Sequence, residues 1–219
     1  MREPIWNAYL TVQTAMAYGT DAWTGYCDAS LALAATILPT LGPCGPTLVI
    51  GGGHPRELQL LRRPAFEPLH LLTAHAPEAQ TARSQGIDAV CGDIHDMPYP
   101  TASMGLVFQS NVMEHVFAPY IALMECRRVS KEGGVGYFAI PEFEGPEHGV
   151  GEFHLHCLTG PVWQTLLTKT GWLVERMERA LKADGHAYAH FICRAVPVPF
   201  PHAAALERIA EARARLADA

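Results

Sequence analysis

Apolar residues in this chain come mostly in short continuous runs, set apart by glycine, proline and small polar residues. Thr47–Ile50, Leu69–Thr73, 89–91, 106–108 and 135–140 are runs of this kind. Such runs, short and without alternation, suit strands buried on both faces. Segments with helical spacing or helix-terminal residues lie between and beyond them. One spans 56–63, entered through Pro55. Another spans 119–128, with Tyr120, Leu123 and Met124 at helical spacing. A third spans 161–170, with proline at its start and Gly171 after its end. Two later strands, 172–180 and 187–195, are joined through Asp184 and Gly185. Strands alternating with helices predict an α/β domain, doubly wound and Rossmann-like.

Residues 1–45 stand before the first core strand and read as a helical cap, with helices at 5–17 and 29–38 broken by Thr20, Asp21 and Gly25. Trp6, Tyr9, Tyr18, Trp23 and Tyr26 make the cap aromatic. It is read as packing on the sheet or as closing over a ligand, two readings that are compatible. The main domain is placed at 46–196. Beyond it, Pro197, Pro199 and Pro201 make a stiff break. A helix at 203–217 follows, whose apolar stripe of Leu206, Ile209 and Leu216 is narrow. No internal repeat is present.

Composition narrows the function classes. The 219 residues are enough for one domain with a substantial core, and 49% of them are hydrophobic. No apolar run approaches the length of a membrane span, and the N-terminus lacks the apolar core of a signal peptide. A cytoplasmic location is the expectation. The net charge of −6 gives no chain-wide basic footprint, so neither nucleic acid nor membrane is expected as a partner. Six cysteines without a Cys-x-x-Cys pair read as reduced thiols.

Candidate chemistry gathers at the carboxyl ends of the strands, where open α/β sheets place ligands. Gly51, Gly52 and Gly53 follow the first strand and let backbone approach a ligand closely. Arg56 stands where a dinucleotide fingerprint would need its third glycine, which disfavours a dehydrogenase. Asp93 sits on a turn after the third strand, while Gln109, Ser110 and Asn111 leave the fourth. His115, His154 and His156 are the histidines placed to accept a proton near neutral pH. In an extended chain His154 and His156 share a face with Glu152, so these three would also suit a divalent metal, completed by Glu142, Glu144 or His148.

The run from Gly92 to Val116, with its Gly-Asp turn, Met-Pro-Tyr-Pro step, strand and Glu-His-Val segment, resembles the class I S-adenosylmethionine-dependent methyltransferases of the type 11 family. The segment Arg128, Val129, Ser130, Lys131, Glu132, Gly133, Gly134 is similar to that family's turn before its fifth strand. The likeness spans roughly 47–195. It implies a mainly parallel seven-stranded sheet, with the last strand antiparallel to the rest. It also implies S-adenosylmethionine as cofactor, held by Gly51, Gly52, Gly53, Ala74, His75, Asp93, Ile94, Gln109, Ser110 and Asn111. Of these, Asp93 would accept from the adenine amino group, and Ala74 and His75 stand where the family has a ribose-binding carboxylate. Val49, Pro55, Ala74 and Gly105 depart from the family pattern.

The leading expectation is methyl transfer to oxygen or nitrogen of a small molecule, with His115, His154 and His156 on the acceptor side and no metal assigned. A nucleobase amine is disfavoured because no Asn-Pro-Pro-Tyr follows the fourth strand. Two other readings stay open. One is a degenerate methyltransferase fold acting as a non-catalytic binding module. The other is a metal-dependent enzyme centred on Glu152, His154 and His156.

Overall fold

The structure, a computed structural model, describes residues 28–51, 55–143, 154–181 and 187–197. Helix α1 (Asp28–Ile37) and a short 3-10 turn (Leu38–Thr40) lead into strand β1 (Thr47–Ile50). There follow α2 (Pro55–Leu61), β2 (Leu69–Thr73), α3 (Ala76–Ser84), β3 (Asp88–Cys91) and β4 (Met104–Ser110). The chain continues through α4 (Pro119–Val129), β5 (Ser130–Glu142), α5 (Gly160–Lys169), β6 (Trp172–Leu181) and β7 (Ala187–Ala195). The first cap helix, the tail helix, Gly52, Gly53, Glu144, His148 and Glu152 lie outside the described residues.

The seven strands form one sheet in the order β3-β2-β1-β4-β5-β7-β6. Four pairings are parallel. Two are antiparallel, both made by β7, so the sheet is mixed. The continuous apolar runs are strands because both faces are covered. Leu48 and Ile50 of β1 join a core with α4 (Leu123, Cys126, Val129) and α5 (Trp163, Leu167). Val49 between them joins the opposite core, with α1 (Ala34, Ile37), α2 (Leu58, Leu61) and α3 (Ala79, Ala82). The domain is doubly wound, and burial on both faces accounts for the mostly apolar central strands.

Strand β4 extends further than its apolar run of 106–108. Gln109 is laddered between Ile50 and Phe138 and is fully buried. It therefore does not leave the strand end, as its place after the apolar run suggests. Strand β5 also starts early, and its register against β4 jumps between Met104/Ser130 and Leu106/Val135, so the Lys-Glu-Gly-Gly turn is looped out.

At the opposite end of β4, a Cβ on Gly105 would lie 2.2 Å from the Cys44 carbonyl oxygen. Glycine is there because the chain entering β1 passes too close for a side chain. That departure from the family pattern is steric and lies away from the strands' carboxyl ends. Among the described residues no helix is long and apolar enough to cross a membrane.

Candidate functional site

The order of strand addition reverses at β1: β2 and β3 lie to one side of it, β4 and β5 to the other. A crevice opens outside the carboxyl ends at such a point. Gly51 after β1 and Asn111 after β4 stand at that end of the sheet. Gly51 sits at φ +95°, and a Cβ there would meet Val112 Cγ2 at 2.6 Å. Only glycine fits, on both conformation and space. Gly51 N–H donates to the Leu72 carbonyl at 2.8 Å, and Asn111 N–H donates to the Ala139 carbonyl at 3.0 Å. Asn111 itself is left-handed, at φ +53°, and its amide lies 3.3 Å from the Ser110 hydroxyl.

The end of β2 carries Ala74 and His75, as expected, and no carboxylate of its own. A carboxylate does arrive from α3. Thr73 Oγ1 donates to Glu78 Oε2 at 2.7 Å and accepts the His75 N–H at 3.1 Å. The His75 Nδ1 is 3.7 Å from Glu78 Oε1.

Asp93 is already engaged at one oxygen. Its Oδ1 accepts the His95 N–H at 2.9 Å and bonds His95 Nδ1 at 2.8 Å. His95 Nε2 in turn accepts the Ala118 N–H at 3.1 Å, at the start of α4. Sequence reasoning passed over His95, although a histidine two residues after a turn aspartate is well placed for such a bond. Ile94, in the same turn, is 8% exposed and packs in the core with Met97 and Met113.

The acceptor-side histidines are partly brought together. His115 and His154 have ring centroids 4.8 Å apart. His115 Nε2 lies 3.6 Å from Glu114 Oε1, and Phe143 meets His154 edge-on at 5.3 Å. The Glu114 carbonyl accepts N–H groups from Leu155 at 2.8 Å and His156 at 3.0 Å, which clamps this second segment over the first. Ligand atoms of Glu114, His115 and His154 all lie within 4.8 Å of one another; His156 is not in that group. Glu114 is 1% exposed, its Oε2 has no hydrogen-bond partner, and burial pushes its carboxyl up to about 8. Among the described residues the carboxylate grouped with His115 and His154 is that of Glu114, while Glu152 lies outside them. Its one sequence signal was its position beside His115.

Glu142 does not complete a metal set either. It is buried, pairs with Arg179 through both oxygens (2.8 and 2.9 Å) and accepts the Gly160 N–H at 3.0 Å. It ties β5 to β6 and to the start of α5.

Residues 48–138, which contain all but the first residue of β1, then β2 to β4, α2 to α4 and most of β5, match the model of a family described as a methyltransferase domain. The match covers less than half of the chain. Over 115 residues the chain is 32% identical to a malonyl-[acyl-carrier protein] O-methyltransferase of Herminiimonas arsenicoxydans, a match covering 52% of this chain and 44% of that protein. The chain therefore spans less than half the length of this curated relative. The likeness in fold extends further than the family match. The 1,6-didemethyltoxoflavin-N1-methyltransferase of Burkholderia thailandensis was solved with 1,6-didemethyltoxoflavin and S-adenosylhomocysteine. It superposes with a TM-score of 0.66 at 16% identity, over 88% of this chain and 90% of that one. The [4+2]-cyclase SpnF superposes with a TM-score of 0.65 at 16% identity, over 89% and 92% of the two chains. At such identities the likeness is one of fold.

Proposed function

We propose that this chain is an S-adenosylmethionine-dependent methyltransferase acting on oxygen or nitrogen of a small-molecule acceptor. The observation that carries it is the buried group Glu114, His115 and His154, placed just beyond the Val112 that touches Gly51. Methyl transfer from a sulfonium is an in-line displacement in which the cofactor supplies the electrophile. The protein has to hold the acceptor's heteroatom on line and ease loss of its proton. His115 and His154 are assigned those tasks, with His156 beside them. Gly51, Gly52 and Gly53 are assigned to the cofactor's close backbone approach. Ala74 and His75 are assigned to the ribose, Asp93 to the adenine, and Ser110 and Asn111 to the methionine end. Ile94 and Gln109 are buried supports of that edge.

Titration calorimetry with S-adenosylhomocysteine tests the reading first, followed by transfer of a labelled methyl group to a panel of acids, phenols and amines. Absence of heat at millimolar ligand would overturn it. The second reading, a binding module without turnover, is favoured by the missing carboxylate at Ala74. Turnover with any acceptor in the panel removes it.

A further inference from the structure

We propose that Glu114, His115 and His154 hold a divalent first-row transition-metal ion, zinc or one of its neighbours, at the acceptor end of the crevice. Three ligand atoms from two segments distant in the chain lie within 4.8 Å of one another. Ions of this class sit about 2.0–2.2 Å from nitrogen and oxygen ligands, so side-chain rotations closing the set by roughly 1 Å complete the coordination.

The placement is held by backbone. The Glu114 carbonyl accepts the N–H groups of Leu155 and His156, which fixes the segment carrying His154 over the one carrying His115. Glu114 supplies the second, independent observation. Its side chain is 1% exposed, and Oε2 has no hydrogen-bond partner. A carboxylate taken out of water calls for a cation or hydrogen bonds; its own backbone N–H supplies one and the His115 ring lies 3.6 Å from Oε1, which leaves Oε2 open to a cation. Glu142, the other buried carboxylate nearby in sequence, is already taken by Arg179.

Two imidazoles and one carboxylate favour a transition metal over magnesium or calcium, which prefer all-oxygen sets. Three protein ligands leave a position for water or for an acceptor oxygen. Ion binding stands by itself, whereas its use in catalysis rests on the methyl-transfer reading. In that use the ion lowers the pKa of the acceptor hydroxyl. The hydroxyl proton goes to solvent, and the oxygen forms a bond to the methyl carbon. The carbon–sulfur pair returns to sulfur, which leaves as a neutral thioether. The metal keeps its oxidation state.

The test uses the full chain, purified without an affinity histidine tag and stripped with a chelator. Zn²⁺ is titrated by calorimetry and Co²⁺ by its d–d absorbance. A single ion per chain is expected. His115→Gln, His154→Gln and Glu114→Gln should each weaken it about tenfold or more, while His70→Gln, at the other end of the sheet, should leave it unchanged. Circular dichroism checks each variant. If Glu114→Gln fails to fold, His154→Gln, at a half-buried position, decides between the outcomes. Well under one ion per chain, or an ion held equally by His154→Gln, overturns the proposal. S-adenosylhomocysteine is titrated into the same preparations, so loss of the cofactor reading and loss of the metal reading are separate results.

Discussion

The sheet buries a polar histidine group on each face. On the α1 face, His190 is bonded at both ring nitrogens, to Tyr137 Oη at 2.6 Å and Ser30 Oγ at 3.1 Å. Burial lowers its pKa to about 4. A Ser–His pair can suggest a nucleophile, but here Ser30 is 2% and His190 0% exposed. The network fastens α1 to β5 and β7. On the α4 face, Glu114, His115 and His154 are close together, yet one carboxylate oxygen is left without a bond. A buried network whose members are satisfied rigidifies a core, while one left incomplete is costly and marks a place where something else binds.

The largest effect should come from activity. His115→Gln and His154→Gln are expected to lower kcat by about 10²–10⁴-fold, the range of general acid–base groups. Their melting temperatures should stay close to that of the parent. Tyr137→Phe should do the reverse, leaving kcat per folded chain unchanged. A similar loss of activity in all three would erase the distinction between the faces.

The two groups should also give opposite pH slopes in the metal-free protein. Between pH 6.5 and about 4 the unfolded chain takes up a proton that folded His190 refuses. That contribution is complete above pH 6.5 and falls away toward pH 4, by roughly 3 kcal/mol. Glu114 runs the other way. Its carboxyl moves from 4.5 to about 8, so between those values the folded chain keeps a proton that the unfolded chain has lost. Stability therefore declines as pH rises through that window. Urea unfolding at a series of pH values checks both slopes, and Glu114→Gln should flatten the alkaline one.

At fixed neutral pH the same contrast predicts opposite signs. Tyr137→Phe removes a partner from buried His190 and should cost about 1–3 kcal/mol. Glu114→Gln, measured without metal, should stabilise the fold by roughly 1–2 kcal/mol, because Gln is spared the cost of holding a proton that the unfolded carboxyl releases.

The smallest effect belongs to the cofactor side, away from both groups. Asp93→Ala should weaken S-adenosylhomocysteine about tenfold. Ala74→Asp should tighten it if the ribose passes the end of β2. Unchanged binding in the first variant together with weaker binding in the second would show that the ligand lies in another orientation.

The sequence by itself determined the elements. Strands buried on both faces need unbroken apolar runs, and helices between them need their own spacing, so Leu69–Thr73 and Ala187–Ala195 are legible to the residue. It also marked Gly51, His115 and His154, because positions at strand ends and the residue types suited to proton chemistry are local features. Tertiary structure decided how these residues are used. Gln109 is buried because β1 and β5 pair on either side of it, and Glu142 is occupied because Arg179 of β6 folds back onto it. Gly105 is a glycine because Cys44 crosses it. Glu114 meets His154 because one carbonyl clamps a segment far along the chain. Local periodicity records which way a side chain faces. Which partner it meets there depends on contacts between distant segments, and no local pattern carries that information.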